Sequence, residues 1–285
     1  MELPADAVAG TTARDYLRIE DDYLIEVGLT PNRVDAASHI GVARDLAAYL
    51  RAKGDAEARV LWPDVSAFAV DDHALEIGVT VENAEAAPRY TGVTITGCKI
   101  GPSPDWMQNA LRAAGIHPKN NLVDITNYVM LATGQPTHAF DSDHIAGHVI
   151  VRRAGEGEKL LLLNGKELAL SSDDLVIADD AGVVGLAGVM GGAKDSILPD
   201  TSKVILEVAN FDAKGIRRTA LRYDNRTEAS ARYEKAIDPE RCDQAFDLSM
   251  QLFSDLYPEM KVTGLVDQYP EHLKPAEIDV PLSWL

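Results

Sequence analysis

The sequence predicts an α+β protein with a large mixed, mainly antiparallel sheet and packed helices, preceded by a small, partly helical segment. Two observations predict this class. Runs rich in Val, Ile and Leu recur through the middle of the chain and are separated by Gly, Asn and Asp turns, which is typical of antiparallel strands. Apolar residues at helical spacing precede these runs and follow them, which indicates helices packed on the sheet.

The first of three predicted segments covers residues 1–87. Ser38 can cap a helix that Gly54 stops, and residues 75–81 alternate with the period of a strand. We place the domain boundary near Pro88, where an acidic, irregular stretch ends.

The second predicted segment, 88–260, holds most of the secondary structure. It starts with a strand at 90–100, a helix from Pro104 to Gly115 and a helix at 123–133. Further strands are predicted at 148–154, 158–163, 174–178, 183–189 and 203–208. A helix at 239–256 closes it. The third segment, 261–285, is predicted to be a linker and the opening strand of a next domain, so we expect the chain to be a piece of a longer protein.

Composition and charge limit the function classes. The chain has 285 residues, 46% of them hydrophobic and 25% charged, as in ordinary soluble proteins. No apolar run approaches the roughly 18 residues that span a bilayer, and no signal peptide is evident, so we expect no membrane partner and a cytoplasmic location. The net charge of −18 opposes a role as the main platform for a phosphate backbone. Cys98 and Cys242 lack metal or disulfide spacing and are predicted to be buried small hydrophobes.

The densest polar cluster lies at 120–128 and 135–141. It supplies hydroxyl, amide and imidazole groups that could orient a water or a ligand. The alternative is structural: Asn121 or Asp124 would cap a helix and Asp141 would turn the chain. Sequence reasoning alone leaves both interpretations open.

A metal site is a further alternative in the same region. The side chains that could form it are His138, Asp141, Asp143, His144 and His148. Their spacing matches no helix-borne zinc motif, so we predict no metal ligands here.

Two other features could bring groups to a ligand. Residues 185–192 form a glycine-rich strand and turn whose backbone N–H groups could approach a ligand, although a plain β-turn or bulge explains the same pattern. Glu207 interrupts an otherwise apolar strand, so its carboxylate is either at a sheet edge or functional.

A basic cluster stands out in this acidic chain. It could contact an RNA backbone or pair with nearby carboxylates, and the sequence does not decide between the two. The cluster consists of Arg217, Arg218, Arg222, Arg226, Arg232 and Lys235.

Long ordered motifs in these regions resemble the bacterial phenylalanyl-tRNA synthetase beta subunit. They are NNLVDITNYVM at 120–130, GQPTHAFD at 134–141, LAGVMGG at 186–192, LEVANFD at 206–212, RRTA at 217–220 and RTEAS at 226–230. The resemblance covers nearly the whole chain but only about a third of such a subunit.

The resemblance implies an editing module that hydrolyses tyrosine mischarged on the tRNA for phenylalanine. The implied pocket has Thr126, Asn127 and His138 on one side, and Gly191, Glu207, Thr227 and Ala229 on the other. His138 would orient the attacking water or the terminal ribose, while Thr126 and Asn127 would hold substrate groups. Activation of the water by the substrate's own hydroxyls is equally compatible with these residues.

Discrimination in this pocket follows from one hydroxyl. Glu207 and a backbone N–H near Gly191 can satisfy the hydroxyl of tyrosine, whereas phenylalanine would leave those buried groups unpaired. One residue departs from the family pattern: His117 stands where an arginine usually helps hold the tRNA end, so a fixed positive charge is lost.

The parent enzyme implied by the resemblance joins phenylalanine to its tRNA with ATP and magnesium, as a heterotetramer of alpha and beta subunits. This fragment itself is expected to use no cofactor. Its expected partners are the tRNA for phenylalanine, the alpha subunit, and tyrosine as the editing ligand. The alternative functions are a non-catalytic scaffold for the alpha subunit and tRNA, and a metal-dependent hydrolase built on His138, Asp141 and His144.

Overall fold

The computed structural model describes residues 7–16, 23, 25–65, 68–194, 196–274 and 277–284. Within them the predicted α+β class with mainly antiparallel strands is confirmed. The strands form two sheets and a short hairpin, rather than one large sheet. Residues 1–6, 17–22, 24 and 66–67 of the first predicted segment, and 275–276 and 285 of the third, lie outside the described residues.

Seven α-helices lie in the described part of the chain. They are α1 (Ala13–Tyr16), α2 (His39–Ala52), α3 (Asp105–Ala113), α4 (Asn121–Thr133), α5 (Ala213–Arg222), α6 (Glu228–Tyr233) and α7 (Arg241–Leu256). Ser38 caps α2 as predicted, accepting a hydrogen bond from Gly41 N. The sequence analysis did not predict α5 and α6.

A five-stranded sheet has the order β1-β4-β7-β8-β9. Its strands are β1 (Val79–Val81), β4 (Val149–Arg153), β7 (Leu175–Asp179), β8 (Gly182–Leu186) and β9 (Met190–Gly191). Only β1 and β4 pair in parallel in this sheet, as far as the described residues show. β5 (Lys159–Leu161) and β6 (Glu167–Ala169) form the separate hairpin.

A four-stranded antiparallel sheet has the order β11-β2-β10-β3. Its strands are β2 (Arg89–Thr96), β3 (Thr137–Asp141), β10 (Lys203–Asn210) and β11 (Lys261–Gln268). β10 lies between β2 and β3, and Glu207 is opposite Gly92 on one side and His138 on the other.

Strand β10 separates two hydrophobic cores because its side chains alternate between the sheet faces. Ile205 and Ala209 enter the core shared with the five-stranded sheet. Val204, Leu206 and Val208 enter a second core with α3, α4 and α7. The odd-numbered position of Glu207 therefore places its carboxylate on the face toward the five-stranded sheet.

Helix α4 is fixed at both ends, but by residues other than those predicted. Asn120 caps it by accepting from Val123 N, and Gly134 ends it in the left-handed conformation. The capping roles considered for Asn121 and Asp124 are therefore wrong. Asn121 instead bonds the backbone at Lys99 and Gly101, and buried Asp124 accepts from Ser103 Oγ and Lys119 N.

Several predicted elements differ in extent. Of the strand predicted at 75–81, only Val79–Val81 is a strand. Residues 137–141, treated as a polar cluster, form β3 because their backbone pairs with β10. The strand expected after 280 is wrong in the described residues, since Leu282–Trp284 is a 3₁₀ turn. β11 extends the sheet past residue 260, and the division into three segments stays a prediction.

Two further sequence expectations can be compared with the structure. Cys98 and Cys242 are both free and buried, as predicted, and burial raises the pKa of each thiol to about 12. Among the residues that the structure describes, no helix is both long and apolar enough to cross a bilayer.

Candidate functional site

A small cavity opens between the two sheets, with a volume of about 80 Å³. This is several times the roughly 10–15 Å³ that one water requires. Strands β3 and β10 form one wall, the glycine-rich turn between β8 and β9 forms another, and α6 closes it. Four of the predicted site residues line it: His138, Gly191, Glu207 and Ala229.

His138 and Glu207 form the polar wall of the cavity. They are directly opposite each other on β3 and β10, so their side chains share one sheet face. Glu207 is 6% exposed, and the imidazole of His138 packs edge-on against Phe140 with ring centroids 4.6 Å apart. The sheet register thus brings a carboxylate and an imidazole together in largely apolar surroundings.

Gly191 makes room for His138. A Cβ at this position would lie 2.7 Å from Cε1 and 2.8 Å from Nε2 of His138, and 3.2 Å from Cδ1 of Leu163. Contacts under 3.0 Å force a neighbour to move. The missing side chain, rather than an unusual backbone conformation, is what the site needs at Gly191.

Burial controls the charge state of the titratable groups around the cavity. It lowers the pKa of His138 to about 4, so the imidazole is neutral at pH 7. Burial, and secondly the Glu207 charge, raise the pKa of Tyr90 and Tyr233 well above the ordinary value, so both phenols stay protonated. Two neutral phenols and a neutral imidazole therefore surround Glu207.

Hydrogen bonds to buried backbone carbonyls fix the cavity floor. Tyr233 Oη donates to Ala209 O over 2.8 Å, and Gln135 Nε2 donates to Ala209 O over 2.7 Å and Pro136 O over 2.9 Å. These bonds tie α6, the start of β3 and the end of β10 together. The floor is consequently held by buried hydrogen bonds.

Thr227 lies beside the cavity rather than in its lining. It caps α6 by accepting from Ser230 N in a capping box. Its Oγ1 also donates to Val189 O over 2.9 Å, and Val189 lines the cavity. Thr227 thereby holds the glycine-rich turn against α6, which carries Ala229.

Thr126, Asn127 and His117 are not among the residues that line this cavity. Thr126 and Asn127 lie on α4, whose apolar residues join the core on the other face of the four-stranded sheet. Thr126 Oγ1 donates to Val123 O over 2.7 Å. His117 is exposed in the loop before α4, which Asp124 holds through Lys119 N. Their predicted substrate roles stay predictions.

The side chains of the possible metal run pair mostly outside the run, although His144 Nδ1 lies 3.5 Å from a carboxylate oxygen of Asp141. Asp141 accepts from Thr201 Oγ1 over 2.5 Å, Asp143 pairs with Lys203, and His148 bonds Asp180 over 2.7 Å. Within the described residues, no three His, Cys, Asp or Glu side chains converge as metal ligands would.

The basic cluster divides into two groups. Arg222 pairs with Asp174, Arg226 with Glu234 and Arg232 with Glu228. Arg217 and Arg218 are exposed on α5. Pairing with nearby carboxylates is therefore confirmed for Arg222, Arg226 and Arg232, and contact of the cluster with an RNA backbone stays a prediction.

Sequence reasoning missed the aromatic residues of the site. Phe140 and Tyr233 line the cavity, and Tyr90 is fully buried next to Glu207. The only available signal was strand alternation, which places Tyr90 opposite Ala209 and on the same face as Glu207 once the register is known.

A family model described as the B3/4 domain matches residues 86–258. The match covers more than half of the chain and includes every residue that lines the cavity. The chain belongs to the B3/4 domain family.

Similar proteins include phenylalanine–tRNA ligase beta subunits from bacteria. The subunit of Bacteroides fragilis is 49% identical over 238 residues, which is 83% of this chain and 29% of that subunit. The subunit of Moorella thermoacetica is 41% identical, over 98% of this chain and 34% of its own length. That of Carboxydothermus hydrogenoformans is 39% identical, over 99% of this chain and 35% of its own length. The chain thus spans about a third of these relatives, and the resemblance predicted from its motifs is confirmed.

A solved structure is also similar to the chain. It is an N-terminal fragment of the phenylalanyl-tRNA synthetase beta subunit from Pyrococcus horikoshii, at 15% identity and a TM-score of 0.46, covering 89% of this chain and 68% of that fragment.

Proposed function

We propose that this chain is an editing module that hydrolyses the ester of tyrosine mischarged on the tRNA for phenylalanine. The observation that carries the proposal is that Glu207 and His138 lie directly opposite each other on neighbouring strands and both line a small, largely apolar cavity. The relatives are named phenylalanine–tRNA ligase beta subunits, which supports the tRNA for phenylalanine as the carrier; tyrosine as the edited amino acid rests on the motif resemblance.

Selectivity in this proposal comes from one hydrogen bond that tyrosine can donate to Glu207 and phenylalanine cannot. The para-hydroxyl of tyrosine donates to the Glu207 carboxylate, which is 6% exposed. Phenylalanine offers no donor there, and a lost hydrogen bond to a charged group costs about 1.5–3 kcal/mol. The cavity therefore accepts tyrosine and rejects the cognate phenylalanine.

The reaction is attack of water on the ester carbonyl. The new bond joins the water oxygen to the carbonyl carbon, the bond to the ribose oxygen breaks, and free tyrosine and a tRNA hydroxyl are released. Such a step needs a positioned water and stabilisation of the developing oxyanion. Gly191, whose backbone lines the cavity without a side chain, stays assigned to the tyrosine hydroxyl beside Glu207 in this proposal.

His138 orients the water in this proposal, instead of acting as a strong general base. Burial lowers its pKa to about 4, and general bases work best with a pKa near the operating pH. A neutral imidazole still offers one acceptor and one donor nitrogen. It can therefore hold a water or the terminal ribose without carrying charge.

The outer parts of the substrate are assigned to residues beyond the cavity lining. Thr126 and Asn127 hold substrate groups in this proposal, and His117 replaces the charged contact with the tRNA end that is expected from an arginine. His117 is exposed, and its imidazole would contribute hydrogen bonding at this contact.

The parent protein is proposed to be an ATP- and magnesium-dependent phenylalanine–tRNA ligase in the cytoplasm, with an alpha subunit as partner. Its whole activity would require the two-thirds of the relatives' length that this chain does not span. ATP and magnesium would then act elsewhere in the parent.

Deacylation of tyrosyl-tRNA for phenylalanine by this chain tests the editing proposal. Phenylalanyl-tRNA is the control substrate, and His138→Ala and Glu207→Ala are the variants. Release of tyrosine but not phenylalanine, slowed by His138→Ala and made less selective by Glu207→Ala, is the expected result. Equal release of both amino acids, unaffected by either variant, would contradict it.

A non-catalytic interface is a second candidate function, and the outer face of α2 favours it. Leu46 and Tyr49 are 55% and 58% exposed there, and Leu61 and Trp62 nearby are 78% and 48% exposed. Contiguous exposed apolar residues are typical of contact surfaces. Co-purification with the alpha subunit, lost in a Leu46→Glu/Tyr49→Glu variant that keeps its deacylation activity, would support this role.

A further inference from the structure

Helix α5 is basic on one face and apolar on the other. Ile216, Thr219 and Ala220 are buried, whereas Lys214, Arg217 and Arg218 are exposed. We call these three exposed residues the α5 basic face. At 100° per residue they project from the same side of the helix, opposite the buried side chains.

The α5 basic face differs from its surroundings in charge. The chain carries a net charge of −18, and the nearby Arg222, Arg226 and Arg232 pair with carboxylates. Across the described residues, none of the three members of the α5 basic face forms an ion pair within 4.0 Å. Three positive charges within two helical turns are thus available to an anionic partner.

The position of α5 connects this face to the cavity. A Cβ on Gly188, a residue of the cavity lining, would lie 2.9 Å from Cδ1 of Ile216. Helix α5 also packs against α6, which contributes Ala229 and Tyr233 to the cavity. The basic face is therefore one helix diameter, about 10–12 Å, behind the glycine-rich turn.

The geometry points to the α5 basic face as the surface that binds phosphates of the RNA strand whose aminoacylated end enters the cavity. This inference rests on the proposed editing function and assigns the grip on its RNA to named residues. Guanidinium groups match phosphate oxygens in a two-pronged geometry, which favours Arg217 and Arg218 as the main contacts.

The acidic remainder of the surface strengthens this placement. The net charge of −18 opposes the approach of a phosphate backbone in general, so the strand is directed toward exposed positive charge, which α5 carries on the side away from its contact with the glycine-rich turn. A long polyanion anchored there, with its end bent across the turn, would present the ester to His138 and the tyrosine hydroxyl to Glu207.

Binding of unacylated tRNA for phenylalanine, measured by fluorescence anisotropy with the 285-residue chain at several salt concentrations, tests the inference. Arg217→Ala/Arg218→Ala should weaken binding about tenfold or more and reduce the salt slope by about 1 to 2. Arg217→Lys/Arg218→Lys should retain most of the affinity. Arg51→Ala/Lys53→Ala, which removes two exposed charges from the end of α2, is the matched control and should change neither quantity.

Three binding results would overturn the inference: no tRNA binding even at low salt, binding that the α5 variant leaves unchanged, or binding that is lost equally in the α2 control and the α5 variant. Hydrolysis of tyrosyl-tRNA is measured alongside. Binding through α5 without hydrolysis would contradict the editing proposal and leave the RNA surface intact. Hydrolysis with a KM unchanged by the α5 variant would contradict the RNA surface and leave the editing proposal intact.

Discussion

The fit between Gly191 and His138 predicts the effect of one added methyl group. In Gly191→Ala, the new Cβ would lie 2.7 Å from Cε1 of His138, and an ordinary contact needs 3.4 Å or more. The imidazole must therefore move by about 0.7 Å, or turn out of its place against Phe140. The backbone at Gly191 does not require positive φ, so the side-chain contact alone determines the result.

The magnitude follows from two opposing effects. Overpacking of this kind costs about 1–3 kcal/mol, and the lower entropy of an unfolded alanine offsets about 0.4–1 kcal/mol of it. We expect a net loss of about 1–2 kcal/mol in the free energy of unfolding, measured by urea denaturation. Displacing His138 should also slow tyrosyl-tRNA deacylation by roughly 10- to 100-fold.

A double-mutant cycle isolates the contact. In a His138→Ala background the contacts at 2.7 and 2.8 Å are absent and only the 3.2 Å approach to Cδ1 of Leu163 remains, so Gly191→Ala should change stability by less than about 0.5 kcal/mol. Gly185→Ala is the matched control, because its Cβ would meet nothing closer than 3.7 Å. If Gly191→Ala destabilises the wild type and the His138→Ala variant by the same amount, the reasoning is wrong.

Three further predictions concern pH, a buried charge and a helix cap. The pKa of His138 is about 4 in the folded state and 6.5 ordinarily, so the unfolded state binds more protons and stability falls as the pH drops from 6.5 to 4. His138→Gln should reduce this loss of stability by about 2–3 kcal/mol in urea unfolding at pH 4.5. The pH dependence near pH 8 should be little changed, because the imidazole is neutral in both states there. Asp174 is fully buried, accepts a hydrogen bond from Thr219 Oγ1 and pairs with Arg222. Asp174→Ala should therefore lower the free energy of unfolding by about 3–5 kcal/mol, and Asp174→Asn by distinctly less. Equal losses in the two variants would contradict a charge effect. Thr227→Ala removes the cap of α6 and the bond to Val189 O, which should cost about 1–2 kcal/mol in thermal unfolding, whereas Thr227→Ser should restore most of it; no rescue by serine would count against the capping role.

The sequence predicted those elements whose signals are local. Ser38 and Gly54 mark α2, and the apolar run around Glu207 marks β10, because capping and strand alternation act over a few residues. β3 was missed because 137–141 is polar and becomes a strand only by pairing with β10. Long-range pairing of this kind leaves no short-range pattern.

The sequence likewise predicted individual residues of the site but not how the fold brings them together. Glu207 was identified as anomalous from its apolar neighbours, but its pairing with His138 depends on a register between residues 69 positions apart. Tyr90 and Tyr233 approach Glu207 only after β2, β10 and α6 have packed. Thr126, Asn127 and His117 came from motif resemblance, and the fold places them outside the cavity lining.

Binding of a non-hydrolysable analogue tests the central claim most directly, namely that the cavity recognises the tyrosine hydroxyl through Glu207. Isothermal titration with the 3′-amide analogues of tyrosyl- and phenylalanyl-adenosine would compare the wild-type chain with Glu207→Gln. The account predicts that the wild type binds the tyrosyl analogue roughly 10- to 100-fold more tightly and that Glu207→Gln removes most of this preference. Equal affinity for the two analogues in the wild type, or a preference that survives in Glu207→Gln, would contradict it.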